Sequence, residues 1–148
     1  MNVSPEQLIE FIGNHWMMGA ALFVVTILLV QDIIDSATRK HKAVSPSEAV
    51  VIMNDDQTIV VDVREPPEFA EGHIEGARNI PLGKLDERVG ELESHKNKPI
   101  IVNCQSGTRS LAAGKKLTKL GFTQVYEMKG GIFAWKDQNL PMTKKRGK

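Results

Sequence analysis

The chain has 148 residues, 41% of them hydrophobic and 25% charged, with a formal net charge of +1 and one cysteine. That length holds one ordinary domain beyond any anchor segment and shows no internal repeat, while a single cysteine excludes an internal disulfide and suits a reducing compartment. Between Ala43 and Thr143 acids slightly outnumber bases, with basic groups at 39–42 and 144–148 on either side, a distribution that disfavours nucleic-acid binding by the domain.

The first ten residues form a short tail with Glu6, Glu10 and no lysine or arginine. Residues 11–31 carry no formal charge, and from 16 to 30 only Thr26 is neither apolar nor glycine. A helix over the uncharged stretch is about 30 Å long, the thickness of a bilayer's hydrocarbon core, so one transmembrane helix is expected. A buried soluble helix would carry a polar stripe, a cleaved signal peptide a basic start, and an interfacial helix a charged face; this stretch has none of them. Arg39, Lys40 and Lys42 follow the span, and the positive-inside rule then places the N-terminus outside and the C-terminal domain in the cytoplasm. The expected layout is a tail over 1–10, a transmembrane helix over 11–31, a basic juxtamembrane linker over 32–43, a domain over 44–141 and a basic tail over 142–148. That last tail reads either as a solvated terminus or as a contact for the anionic inner leaflet.

Within the domain, Ser45-Pro46-Ser47-Glu48 opens a helix with a capping box. Thr58-Ile59-Val60-Val61-Asp62-Val63 is β-branched and reads as a buried strand. Pro66-Pro67 starts a short helix that Gly72 ends. Residues 77–80 make a brief strand and 82–92 a helix interrupted near Gly90. Residues 99–102 form the strand that leads to Cys104. Ala113, Leu117 and Leu120 then recur at helical spacing until Gly121. Residues 125–128 form the last strand and 132–138 the last helix. Strands alternating with helices imply a parallel sheet covered on both faces, with ligands at the carboxyl ends of strands, where Cys104 falls.

A strand that ends at Cys104 and a helix that starts near Ser110 leave the loop's backbone N–H groups unpaired and turned inward. Such a nest favours negative charge at its centre, where the sulfur lies, and so marks a reactive thiol. The alternative, a cysteine that serves as a small hydrophobe, fits poorly beside Ser106, Gly107 and Ser110. Four residues separate Cys104 from Arg109. Phosphatases with a cysteine nucleophile place one more in that interval to wrap a phosphoryl group, whereas the shorter ring fits one extra sulfur carried as a persulfide.

Cys104-Gln105-Ser106-Gly107-Thr108-Arg109-Ser110 resembles the active-site loop of the rhodanese family of sulfurtransferases. Val61-Asp62-Val63-Arg64-Glu65-Pro66-Pro67-Glu68-Phe69 with Gly72-His73-Ile74-Glu75-Gly76-Ala77-Arg78-Asn79-Ile80-Pro81 resembles its first signature, and Gly130-Gly131-Ile132-Phe133-Ala134-Trp135 its closing segment. The resemblance implies an α/β fold, a single rhodanese-like domain with a parallel five-stranded sheet flanked by helices, here preceded by one transmembrane helix. It implies Cys104 as the catalytic nucleophile and Gln105, Ser106, Gly107, Thr108, Arg109 and Ser110 as the substrate-binding loop. Asp62, Arg64 and His73 become structural support, with no metal and no cofactor. Many thiosulfate-using members carry Arg or Lys directly after the cysteine, where this chain has neutral Gln105. Arg109 either neutralises an anionic donor or braces the loop through a carboxylate. Trp135 reads as a core anchor.

The expected function is a sulfurtransferase that moves sulfane sulfur, from thiosulfate or a persulfide, to a thiophilic acceptor through a Cys104 persulfide. Its expected place is the cytoplasmic face of a bacterial inner membrane. Its partners are a small-molecule or protein persulfide donor, a thiol acceptor, the membrane and, given the anchor, a membrane protein, with no nucleic acid. The rival reading is a membrane-tethered docking module with little or no transfer activity.

Overall fold

The computed structural model describes residues 15–37 and 41–144, the side chains of 32–37 excepted. The chain divides into two units, Met1–Arg39 and Lys40–Lys148. In the first, helix α1 covers Trp16–Ala37. Against the span expected over 11–31, the described helix begins at Trp16 and runs on through Gln31 and Asp32 to Ala37, and among the described residues no helix is long and apolar enough to cross a membrane. Residues 11–14 lie outside the described residues, as do the tail over 1–10, Arg39 and Lys40 of the linker, and 145–148 of the basic tail.

The second unit is built on five strands, β1 (Lys42–Val44), β2 (Ile59–Asp62), β3 (Arg78–Asn79), β4 (Pro99–Asn103) and β5 (Gln124–Met128). They stand in the order β1-β5-β4-β2-β3, and every neighbouring pair is parallel. β2 and β4 lie inside the sheet with both faces covered, which is why both read as continuous apolar runs rather than alternating ones. Successive residues feed opposite layers. Val61, Ile100 and Val102 pack with Leu85, Leu92, Ala113 and Leu117 on one face. Val60 and Ile101 pack with Ala49, Ile74, Ile132 and Trp135 on the other.

The covering helices are α2 (Pro46–Met53), α3 (Pro66–Glu71), α4 (Leu85–Arg88), α5 (Thr108–Lys119) and α6 (Gly131–Asp137). The capping box at α2 is formed: the Ser45 N–H donates to Glu48 Oε2 at 2.7 Å and the Glu48 N–H to Ser45 Oγ at 3.3 Å. The helix expected over 82–92 with an interruption near Gly90 is one α-turn, α4, between the 3₁₀ stretches Leu82–Lys84 and Val89–His95. Gly83 and Gly90, poor helix formers, sit one in each 3₁₀ stretch.

The domain is also wider than 44–141. Lys42 and Ala43, which the sequence placed in the linker, pair with Tyr126 and Glu127 as the start of edge strand β1. Beside them His41 Nε2 stands 3.2 Å from Glu127 Oε2, both residues buried. At the other end, His73 and Thr143 exchange backbone hydrogen bonds of 2.9 and 2.8 Å.

Candidate active site

β4 delivers Cys104 to the carboxyl edge of the sheet, beside the ends of β2 and β5, where ligands of open parallel sheets bind. The Gly107 N–H donates to Cys104 Sγ at 3.0 Å, and Ser110 Oγ lies 3.6 Å from the sulfur while its hydroxyl donates to the Gly107 carbonyl at 2.8 Å. α5 begins at Thr108, two residues before the expected start near Ser110, and the Leu111 N–H bonds the Gly107 carbonyl at 3.1 Å. The N–H groups of Thr108, Arg109 and Ser110 precede that bond and have no partner within the helix. Gly107 holds φ at +105°, which a side chain would resist.

The loop is shaped from behind by α6. The Ile132 N–H donates to the Cys104 carbonyl at 2.8 Å and the Phe133 N–H to the Gln105 carbonyl at 3.2 Å. Because peptides are planar, fixing those two carbonyls on α6 turns the N–H groups of Gln105 and Ser106 away from it. Cys104 itself is 1% exposed. Ser106 and Thr108 are exposed, Gln105, Gly107 and Arg109 half-buried, and Ser110 buried.

Asp62 and Arg64 lie under the loop rather than against the sulfur. Asp62 ends β2, and its carboxylate receives Arg64 Nε at 3.0 Å, Arg64 Nη2 at 2.7 Å and Asn103 Nδ2 at 3.3 Å. The remaining Arg64 donors reach the Glu68 carbonyl at 3.1 Å, the Gly72 carbonyl at 2.8 Å and Gln105 Oε1 at 3.2 Å. A buried guanidinium whose fork is shared among a carboxylate and three neutral oxygens ties β2, α3 and the loop into one unit.

Arg109 faces a carboxylate. Its Nη1 and Nη2 donate to Glu68 Oε2 and Oε1, each at 2.7 Å, a two-point pair whose side chains are both 33% exposed. These bonds are the main reason that the Glu68 carboxyl is pulled from 4.5 to about 2, and they raise Arg109 in turn.

His73 is set apart from this cluster. It is buried, its ring stacks on Phe69 with centroids 3.7 Å apart, and Nδ1 meets the Phe69 carbonyl at 2.9 Å. Trp135 is buried in the opposite core, with Nε1 donating to the Pro141 carbonyl at 2.9 Å. Sequence reasoning missed Glu68, Asn103 and Gly131 as parts of the site. For Glu68 a signal existed: Glu65-Pro66-Pro67-Glu68 has capping-box spacing, and the Glu65 N–H does donate to Glu68 Oε2 at 3.1 Å. Nothing local marks Asn103, whose partner lies 41 residues away.

The model of the family described as Rhodanese-like domain matches residues 45–138. The chain is 35% identical over 144 residues to "Uncharacterized protein YibN" of Escherichia coli (strain K12), which covers 97% of this chain and 99% of that protein. It is 34% identical over 97 residues to "Thiosulfate sulfurtransferase GlpE" of Ectopseudomonas mendocina, covering 66% of this chain and 86% of that protein. Among solved structures, a rhodanese-related protein from Thermoplasma volcanium superposes with a TM-score of 0.64 at 31% identity, covering 71% of this chain and 100% of that one.

Proposed function

The chain belongs to the rhodanese-like family, and from that premise we propose that it is a sulfurtransferase that carries sulfane sulfur on Cys104. The Cys104 thiolate attacks the outer sulfur of a donor R–S–SH, a new S–S bond forms, the donor's S–S bond breaks, and R–S⁻ leaves with the electron pair. The donor's proton travels on the transferred sulfur and passes from the new Cys104 persulfide to the leaving thiolate or to water. An acceptor thiolate then attacks the outer sulfur of the Cys104 persulfide and Cys104 leaves as thiolate, so the cycle has no net oxidation. Both states of Cys104 are anionic, and the nest is suited to both.

The observation that carries this reading is the Gly107 N–H bond to Cys104 Sγ at 3.0 Å. A cysteine that merely fills space would not draw a main-chain donor at a glycine held in a left-handed conformation. Cys104→Ser tests it. The hydroxyl fits the same place but cannot act as a sulfur carrier, so transfer disappears while the domain stays folded. Transfer retained by the serine variant sinks the mechanism.

A docking role is the second reading, favoured by the 1% exposure of Cys104 and by the engagement of Arg109 with Glu68 rather than with open solvent. It requires a wild type that binds a partner yet moves no sulfur. As to location, we place the domain at the cytoplasmic face of a bacterial inner membrane, held by the N-terminal segment. Leu22, Phe23, Leu28 and Leu29 of α1 are 57 to 68% exposed and call for an apolar cover, the sequence over 11–31 lacks charge, and Arg39, Lys40 and Lys42 follow it.

A further inference from the structure

We propose that Glu68 is a specificity-determining residue that turns this site away from dianionic sulfur donors and towards uncharged or singly charged persulfides. This rests on the transfer reading above. Among loop residues 104–110, Arg109 is the only side chain with a positive charge. Glu68 takes both of its Nη groups at 2.7 Å, leaving a pair with no net charge at a position one-third open to solvent. A dianion such as thiosulfate therefore meets a guanidinium already matched by a carboxylate, and must either displace Glu68 or approach it.

Among the described residues of the site, Arg64 does not take over. Arg64 is buried, and its donors are engaged by Asp62, Gln105 and the carbonyls of Glu68 and Gly72. Gln105 is neutral and turns its Oε1 inward onto Arg64 at 3.2 Å, so it faces a cation rather than adding one. Glu68 keeps its charge throughout the working pH range, since Arg109 holds its carboxyl near 2.

The test compares dianionic thiosulfate with an alkyl persulfide that carries at most one negative charge in the full-length protein, as kcat/KM at low and high salt, for wild type, Glu68→Gln and Glu68→Asp. Glutamine keeps the shape and removes the charge, so the thiosulfate-to-persulfide ratio rises about fivefold at low salt, chiefly through KM, and the gain shrinks as salt rises. Aspartate keeps the charge and leaves the ratio within about twofold of wild type. A gain for one donor is not what the loss of a mere brace would give, since that lowers both. Should Glu68→Gln fail to fold, Glu68→Ala serves, with the same sign expected. Persulfide transfer in the wild type with an unchanged ratio in the neutral variants, or an equal gain in Glu68→Asp, overturns the role of Glu68 alone. A wild type that takes sulfur from neither donor overturns the transfer reading and this role with it.

Discussion

The α-carbon of Gly131 sits so close to Cys104 that a β-carbon there would overlap the Cys104 carbonyl oxygen and stand 2.6 Å from the carbonyl carbon of Gln105. Its φ of +57° is a second reason for glycine. The closing segment thus works on the Cys104 loop from the far end of the domain: the backbone of α6 can bond the loop's carbonyls only if nothing projects between them. Gly131→Ala is expected to cost about 2 kcal/mol or more in denaturant unfolding. It should also lower transfer beyond what the unfolded fraction explains, since the loop must move to admit the methyl group. Wild-type stability with wild-type transfer would contradict this.

The Asp62–Arg64 pair is buried, its side chains 0% and 3% exposed. Asp62→Ala leaves the Arg64 charge without its carboxylate and Asn103 without its acceptor, a change expected to cost about 3–5 kcal/mol. Thermal or urea unfolding reads it. A loss below about 1 kcal/mol would mean that water reaches Arg64 and that the brace under the loop is looser than its geometry implies.

Acid should weaken the Glu68–Arg109 link in a defined window. The folded-state carboxyl is depressed from 4.5 to about 2, so its contribution is complete above the unfolded value and fades as pH falls towards 2. The stability difference between wild type and Glu68→Gln is therefore flat from neutral pH down to about 5 and narrows below that. Unfolding curves at stepped pH check it, and a difference that widens on acidification would reverse the assignment.

Much of this arrangement was legible in the chain, and the parts that were not share a cause. The β-branched run over 58–63 and the apolar run before Cys104 announced buried strands, because a strand covered on both faces needs no polar alternation. The capping box at Ser45 and the stops at Gly72 and Gly121 are local chemistry and could be read locally. β1 could not, since three residues, Lys42–Val44, carry no period and become a strand only by pairing with β5. Within the site, Cys104 and its loop are contiguous, whereas the Glu68–Arg109 and Asp62–Asn103 contacts join residues 41 positions apart. Uncharged residues at 11–31 fixed a stretch of sequence but not where a helix begins, and α1 begins at Trp16 and ends at Ala37.

The proposed attachment to the membrane has its own check. The full-length protein should stay with the membrane fraction through high-salt and alkaline washing, because exposed apolar side chains rather than charges would hold it. A probe at its C-terminus should be closed to reagents outside intact cells. Release by salt alone would mean an electrostatic attachment, and external labelling would reverse the orientation.

The most direct test of the central claim is the intact mass of the purified wild-type protein after treatment with an alkyl persulfide. A thiol acceptor is then added and the mass read again. The account predicts a gain of one sulfur atom, located on Cys104 and absent in Cys104→Ser, followed by its loss to the acceptor. A mass that never changes, or a sulfur that Cys104→Ser acquires equally, would contradict it.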